Sequence, residues 1–454
     1  MKKNFPFLPF YFLLFTCLSN AQTLAPGAPG KDAQWASAGK QAIGTSASLE
    51  SKVWFTLQGG AMTEVYYPDV TTANVHLLQF VAVNKKTGKI ETERDDAIHK
   101  IICPYQERVI NKNKILNNSP FISSAPSTLV GDVPSLCFAQ INEAKNGQWR
   151  ITKVYTTDPQ RNTVLIDVLF EQKNKKFGEF ELYLYYDPSI SNTGMHDTAW
   201  TLKNQKDETE NALLAQDANV SSALMIDYQG EISIEPYALS EITNGFLGAS
   251  DGLSQLKDKK NITVYDKAEN GNVVQFAKIK DRERETNPAS PLPFRFVLAL
   301  GFGKTPDEAL KTTKASLEKG FTENLKEYEK GWSDYIKTLR KVEPKYQAQF
   351  NMAAMVLKAS EDKTVRGANV ASLTIPWGGG VNANEDVGGG YHLVWSRDLY
   401  QVVTAYMALG DTAAANRALD FLFNIQQKPD GSFPQNSWLD GKRGWGSLQL
   451  DEVA

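Results

Sequence analysis

A chain of 454 residues, 42% hydrophobic and 22% charged, has the length and apolar content for two or three packed domains, which excludes a disulfide-stapled mini-protein, a disordered chain and a lone small binding module. Lys+Arg total 49 against 52 Asp+Glu, a net charge of −3, and no basic run gathers on one segment, so no nucleic acid partner is expected, because phosphate binding needs a concentrated basic surface. The three Cys and four His lie too far apart in sequence to suggest a zinc or thiol site, and no cofactor is expected.

The amino terminus reads as an export signal. Lys2 and Lys3 precede an apolar run from Phe5 to Leu18, and Ser19 and Ala21 are the small residues that direct cleavage after Ala21. The run is shorter than the roughly 20 residues that span a bilayer. Residues 1–21 are therefore expected to be a signal peptide, and the mature protein to be periplasmic or extracellular with no membrane partner. Cys103 and Cys137 are then its only thiols, and spacing leaves open whether they pair in an oxidising compartment.

Residues 22–303 read as β-structure. Runs such as 53–57, 76–83, 164–170 and 179–186 are rich in apolar and β-branched residues, and Phe180, Leu182 and Leu184 alternate with the period of a half-buried strand. Turn residues at Lys86-Thr87-Gly88, Asn146-Gly147, Asp158-Pro159 and Asn270-Gly271 punctuate them. A large antiparallel β-sandwich is predicted. At Thr305-Pro306-Asp307-Glu308 the period changes: a capping Thr, a Pro at the first helical position and acids in the first turn start a helix. Leu310, Leu317, Phe321, Leu325, Tyr328, Trp332, Tyr335 and Leu339 then form one apolar stripe, which predicts a single long linker helix within residues 304–343.

Residues 344–454 read as helices and loops with no β signal. Helices are expected over Tyr346 to Ala359, around Leu399 to Leu409 with a stop at Gly410, from an Asp411 cap through Ile425, and from near Ser447 onward. Between the first two lies a loop with six Gly between Gly378 and Gly390. It lacks the Lys-Ser/Thr of a phosphate loop, and a wall lining a cleft is the better reading. Tyr391-His392-Leu393-Val394-Trp395-Ser396-Arg397-Asp398 follows. Arg397 and Asp398 could be an N-terminal helix charge pair. With Tyr391 and Trp395 beside them, they also form the mixture sugar recognition requires: planar faces for C–H surfaces, a donor fork and a carboxylate acceptor for hydroxyls. A second such mixture, Phe433 to Asp440 and on to Trp445, would line the same cavity if both loops lie at the same ends of successive hairpins.

Together with Gln449-Leu450-Asp451-Glu452, Gly59-Gly60-Ala61-Met62-Thr63-Glu64-Val65-Tyr66-Tyr67-Pro68 and Gly245-Phe246-Leu247-Gly248-Ala249-Ser250-Asp251-Gly252, these motifs resemble the bacterial glucoamylase and glucodextranase family of inverting, exo-acting α-glucosidases. The resemblance implies a β-sandwich joined by a helical linker to an (α/α)6 barrel, which removes glucose from non-reducing ends of a starch-type or dextran-type α-glucan, or of malto- or isomalto-oligosaccharides. It implies substrate-binding roles for Tyr391, Trp395, Arg397, Asp398, Trp445 and Asp451, with Arg397 and Asp398 holding hydroxyls of the terminal glucose; Trp438 is either part of that wall or packing. It leaves calcium open, and no oxygen-ligand cluster stands out here. Two readings compete: a non-catalytic glucan-binding protein and an inverting glycoside phosphorylase.

Inversion needs two carboxyls about 6.5–9.5 Å apart. Asp451 and Glu452 cannot supply them, because adjacent helical residues diverge on one element. In the family both catalytic carboxylates lie later in the barrel, so they are expected beyond Ala454. A twelve-helix barrel needs well over 200 residues, so residues 344–454 are expected to form only its first third, and the chain to be a fragment.

Overall fold

The computed structural model describes residues 23–105, 133–172, 179–204, 206–227, 237–281, 294–375, 378–380, 382, 390–445 and 449. Two antiparallel sheets stack as a sandwich. The first runs, in spatial order, Ala42–Gly44, Trp54–Gln58, Ala61–Tyr66, Val75–Asn84, Phe180–Pro188, Val273–Asp281 and Tyr237–Phe246, with Ile90–Thr92 also on Val75–Asn84. The second runs Lys267–Gly271, Asp197–Leu202, Ala212–Asp217, Val220–Ile226, Phe294–Gly303, Thr163–Gln172, Trp149–Thr157, Phe138–Ala144 and Ala97–Ile102. The alternation read from the sequence is the alternation of faces. Phe180, Leu182 and Leu184 enter the core between the sheets, while Tyr183 and Tyr185 join a smaller cluster on the outer face.

Short helices that serve the sandwich among the described residues include α1 (Glu93–Asp96) and α2 (Gly252–Lys259). Glu93 is fully buried and accepts from Lys153 Nζ at 2.8 Å and from the Phe80 amide at 2.7 Å, so the charge enters the core with its partners. Cys103 and Cys137 also lie in this core, where Cys103 Sγ donates to the Ser135 carbonyl at 3.7 Å.

The linker differs from its expectation. Instead of one helix there are two, α3 (Pro306–Lys319) and α4 (Phe321–Lys337), broken at Gly320, whose φ of 82° and ψ of 156° no helix contains. Asn324 Nδ2 bridges the break by donating to the carbonyls of Ser316 (3.0 Å) and Gly320 (2.7 Å). Leu317, Phe321, Leu325, Tyr328 and Trp332 are all buried, so the stripe continues across a break that periodicity alone conceals. Thr305 caps α3 through its Oγ1, which accepts from the Glu308 amide at 3.2 Å. That helix lies directly on the second sheet: a Cβ on Gly303 would stand 2.6 Å from the Ala309 nitrogen. Trp332 of α4 is core, and its Nε1 donates to the Thr45 carbonyl at 2.9 Å.

Among the described residues three further α-helices follow: α5 (Gln347–Ala359), α6 (Ser396–Leu409) and α7 (Thr412–Phe421). Asp411 caps α7, and Gly410 in the left-handed region closes α6. Beyond α7 the chain makes one wide turn, Leu422–Gln426, with the Gln427 amide donating to the Leu422 carbonyl five residues back. The expectation of no β-structure here is corrected by a two-residue antiparallel ladder, Val394–Trp395 with Asn436–Ser437. Two residues are too few for any period to announce them. The expected signal peptide, most of the Gly-rich loop, the helix from Ser447 and Asp451 lie outside the described residues. Among the described residues no helix is long and apolar enough to cross a membrane.

Sandwich and helices share one core. Trp35, Trp54, Tyr66 and Val70 pack with Leu373, Val394, Leu399, Val403 and Phe421. Trp54 Nε1 donates to the Ala359 carbonyl at 2.9 Å, while Lys363 Nζ enters the sandwich to meet Thr45 Oγ1 (2.7 Å) and the Ser51 carbonyl (2.6 Å), over the Trp54 ring.

Candidate functional site

The two-residue ladder is what builds the site. Val394 pairs with Ser437 and Trp395 with Asn436, which sews the segment before α6 to the loop after α7. Gln426, buried at the end of the wide turn, donates to the Val394 carbonyl (2.8 Å) and Ser437 Oγ (3.0 Å), locking both strands. Asn436 Oδ1 accepts from the Trp445 amide at 2.8 Å. As a result the Trp445 ring stands edge-on to Trp395, with centroids 5.3 Å apart and planes at 89°, and Tyr391 also meets Trp395 edge-on, at 5.9 Å. Edge-to-face aromatic contacts of this kind fix ring orientation.

These rings open on a cavity of ≈ 400 Å³ lined by Ala371, Ser372, Tyr391, Trp395, Arg397, Asp398, Gln435, Trp445 and Gln449. Tyr391, Trp395, Arg397, Asp398 and Trp445, five of the six residues proposed from the sequence, are therefore gathered around one space; Asp451 lies outside the described residues. Trp438 is absent from the lining and packs behind it against His392. Trp395 is buried, Asp398 half-buried, and Tyr391 and Arg397 exposed. Arg397 Nη1 donates to Gln449 Oε1, so the guanidinium is already oriented across the cavity mouth. Asp398 sits in the first turn of α6, where the helix N-terminus favours a negative charge. A groove of ≈ 780 Å³ between α5 and α6 adjoins the cavity and shares Ala371 and Asp398 with it.

Ala371, Ser372 and Gln435 complete the wall. Gln435 lay in a polar-aromatic loop that the sequence singles out, whereas nothing in the sequence marks Ala371 and Ser372. They arrive because Ala371 N–H donates to the Leu393 carbonyl (3.0 Å) and Ser372 N–H to that of Tyr391 (2.9 Å). His392, between two residues at the site, faces inward; burial pushes its imidazole down to about 3, so it is neutral at ordinary pH. Among the described residues the cavity holds one carboxylate, Asp398, and no group of three His, Cys, Asp or Glu is placed to hold a metal ion.

Residues 25–337 match the family described as "Glucodextranase, domain N", and residues 346–454 match "Glycosyl hydrolases family 15". The chain belongs to the bacterial glucoamylase and glucodextranase family. Within that family, it is 35% identical over 430 residues to a glucoamylase of Clostridium sp. (strain G0005), a match covering 95% of this chain and 54% of that protein. It also superposes on the crystal structure of a bacterial glucoamylase complexed with acarbose, with TM-score 0.79 and 34% identity, over 95% of this chain and 56% of the other. The chain thus spans about half the length of these relatives.

Proposed function

We propose that this chain carries the sugar-binding end of an exo-acting glucan α-glucosidase, which releases glucose from non-reducing ends of α-glucans with inversion. The observation that carries it is the cavity itself: orthogonal Trp395 and Trp445 rings, Tyr391, an oriented Arg397 and the Asp398 carboxylate around ≈ 400 Å³. That is the size and donor set for one hexose ring, with aromatic walls for C–H faces and a fork and carboxylate for paired hydroxyls. In this reading Arg397 and Asp398 bind hydroxyls, while the rings and Tyr391 orient the reacting carbon. The catalytic carboxylates are not among the cavity's described residues. The solved relative holds acarbose, which makes that pseudo-oligosaccharide the probe of choice. Export, read from residues 1–21, suits an enzyme whose polymeric substrate is outside the cell.

The 454-residue chain is titrated with acarbose while tryptophan fluorescence is followed. Saturable quenching is expected, weakened at least about tenfold in Trp395→Ala and Arg397→Ala, as the loss of one stacking face or charged donor dictates. No saturable signal in the parent chain, or equal binding by both variants, overturns the assignment. The activity is read by incubating the gene product with maltotetraose and isomaltotriose and following the anomer by NMR: β-glucose is expected, and sugar phosphate formed only with added phosphate indicates a phosphorylase instead.

A further inference from the structure

We propose that the outward face of strand Ala61–Tyr66 in the β-sandwich is a positioning platform for the cavity, and that His392 is the positioning residue through which it acts on the aromatic wall. The proposal rests on the reading of the cavity as a sugar site and goes beyond it, since it assigns the sandwich a part in shaping that site.

Glu64 and Tyr66 are two apart on one strand and so share a face; both are fully buried. From them two separate routes reach the cavity. The first is through backbone. Glu64 pairs with Lys40 and accepts from the Ala36 amide at 2.9 Å, which pins the segment at residues 36–40 to the sheet. The Ala38 carbonyl of that segment accepts from Thr374 Oγ1 (3.2 Å), and the Thr374 carbonyl accepts from the Tyr391 amide (3.1 Å). Ala371 and Ser372, which line the cavity, are thereby held between the pinned segment and the segment that carries Tyr391.

The second route is through side chains. The Tyr66 ring stands edge-on to His392 at 5.9 Å, and His392 is tilted against Trp438 at 6.3 Å. His392 is 2% exposed while its neighbour Tyr391 is 42% exposed, so consecutive side chains point to opposite sides, one into the sandwich interface and one to the cavity. Trp438 belongs to the loop that also carries Gln435 and Trp445, and its amide donates to the Lys442 carbonyl at 2.9 Å. His392 therefore bridges the two cavity-lining loops from behind. Its Nδ1 has no hydrogen-bond partner among the described residues, so the shape of the ring, not its proton chemistry, does the bridging.

The test compares His392→Ala, His392→Phe and Tyr66→Leu in the 454-residue chain by two readouts. In acarbose titration His392→Ala and Tyr66→Leu are expected to raise Kd about tenfold with the chain still folded by circular dichroism, and His392→Phe to stay within about twofold of the parent. Equal weakening in the Ala and Phe variants, or no weakening in Tyr66→Leu, overturns the proposal. Hydrogen exchange reads the same claim without any sugar. The Ser372 and Tyr391 amides should lose about tenfold protection in His392→Ala and Tyr66→Leu while the Phe80 amide, deep in the sandwich, keeps its own. Unchanged protection at Ser372 and Tyr391 sinks the proposal even if acarbose binds nowhere, an outcome that by itself counts against the sugar site alone.

Discussion

Removal of Glu361 should destabilise the helical region strongly. This residue lies buried just after α5 and takes both guanidinium arms of Arg366 (3.0 Å each) and of Arg417 on α7 (2.9 and 3.2 Å), with Lys358 and the Gly367 amide (3.1 Å) also on it. Burial pushes its carboxyl up, but the hydrogen bonds from Arg417 and Arg366 and the charge of Lys358 outweigh that and hold it at about 2. Against an ordinary 4.5 this corresponds to about 3 kcal/mol of preference for the ionised, clamped form. Glu361→Gln leaves three cations facing a neutral amide, and about 3–5 kcal/mol of stability should go with it at pH 7. Because the folded value is depressed, the contribution is complete above the unfolded value near 4.5 and is lost as pH falls toward 2. Urea denaturation of parent and variant, followed by circular dichroism, should show a gap that is constant above about pH 5.5 and narrows steadily below pH 4.5. A gap under about 1 kcal/mol at pH 7, or one that does not change with pH, refutes the reasoning.

Three further changes probe other layers. Gly303→Ala puts a methyl against the α3 backbone and should cost about 1–3 kcal/mol, read as a lower denaturation midpoint for the sandwich; an unchanged midpoint would mean that α3 shifts freely. Trp332→Ala empties a fully buried site and orphans the Thr45 carbonyl, with an expected loss of about 3–5 kcal/mol by the same assay. Asn436→Ala removes the acceptor that holds the Trp445 amide, and acarbose affinity should fall about threefold to tenfold with a stability loss near 1 kcal/mol, so a purely structural effect would show as the stability loss alone.

Much of the architecture was legible because it is written in period. Phe180, Leu182 and Leu184 alternate as a two-faced strand must, and Thr305-Pro306 marks a helix start by chemistry that acts locally. Five cavity residues were legible for a different reason: Tyr391, Trp395, Arg397, Asp398 and Trp445 belong to compact motifs of a residue mixture that core packing does not select. What stayed hidden depends on geometry without a period. Gly320 breaks the linker helix while the stripe from Leu317 to Phe321 keeps helical spacing. The Val394–Trp395 ladder is two residues long. Ala371 and Ser372 reach the cavity only through backbone hydrogen bonds to Leu393 and Tyr391. The Tyr66–His392 contact joins residues more than 300 positions apart through folding alone, and no local reading could place it.

The exchange between Trp54 and Lys363 makes the two parts of the molecule poor candidates for recombination. Each reaches into the other: the indole N–H ends on the Ala359 carbonyl, and the Lys363 amino group ends on Thr45 and Ser51 over the same indole. A sandwich borrowed from another protein would leave the buried Lys363 amino group without hydrogen-bond partners in a dry interface unless it brought an equivalent hydroxyl, carbonyl and ring. Partner compatibility across this seam is thus a constraint that the two halves have had to satisfy jointly.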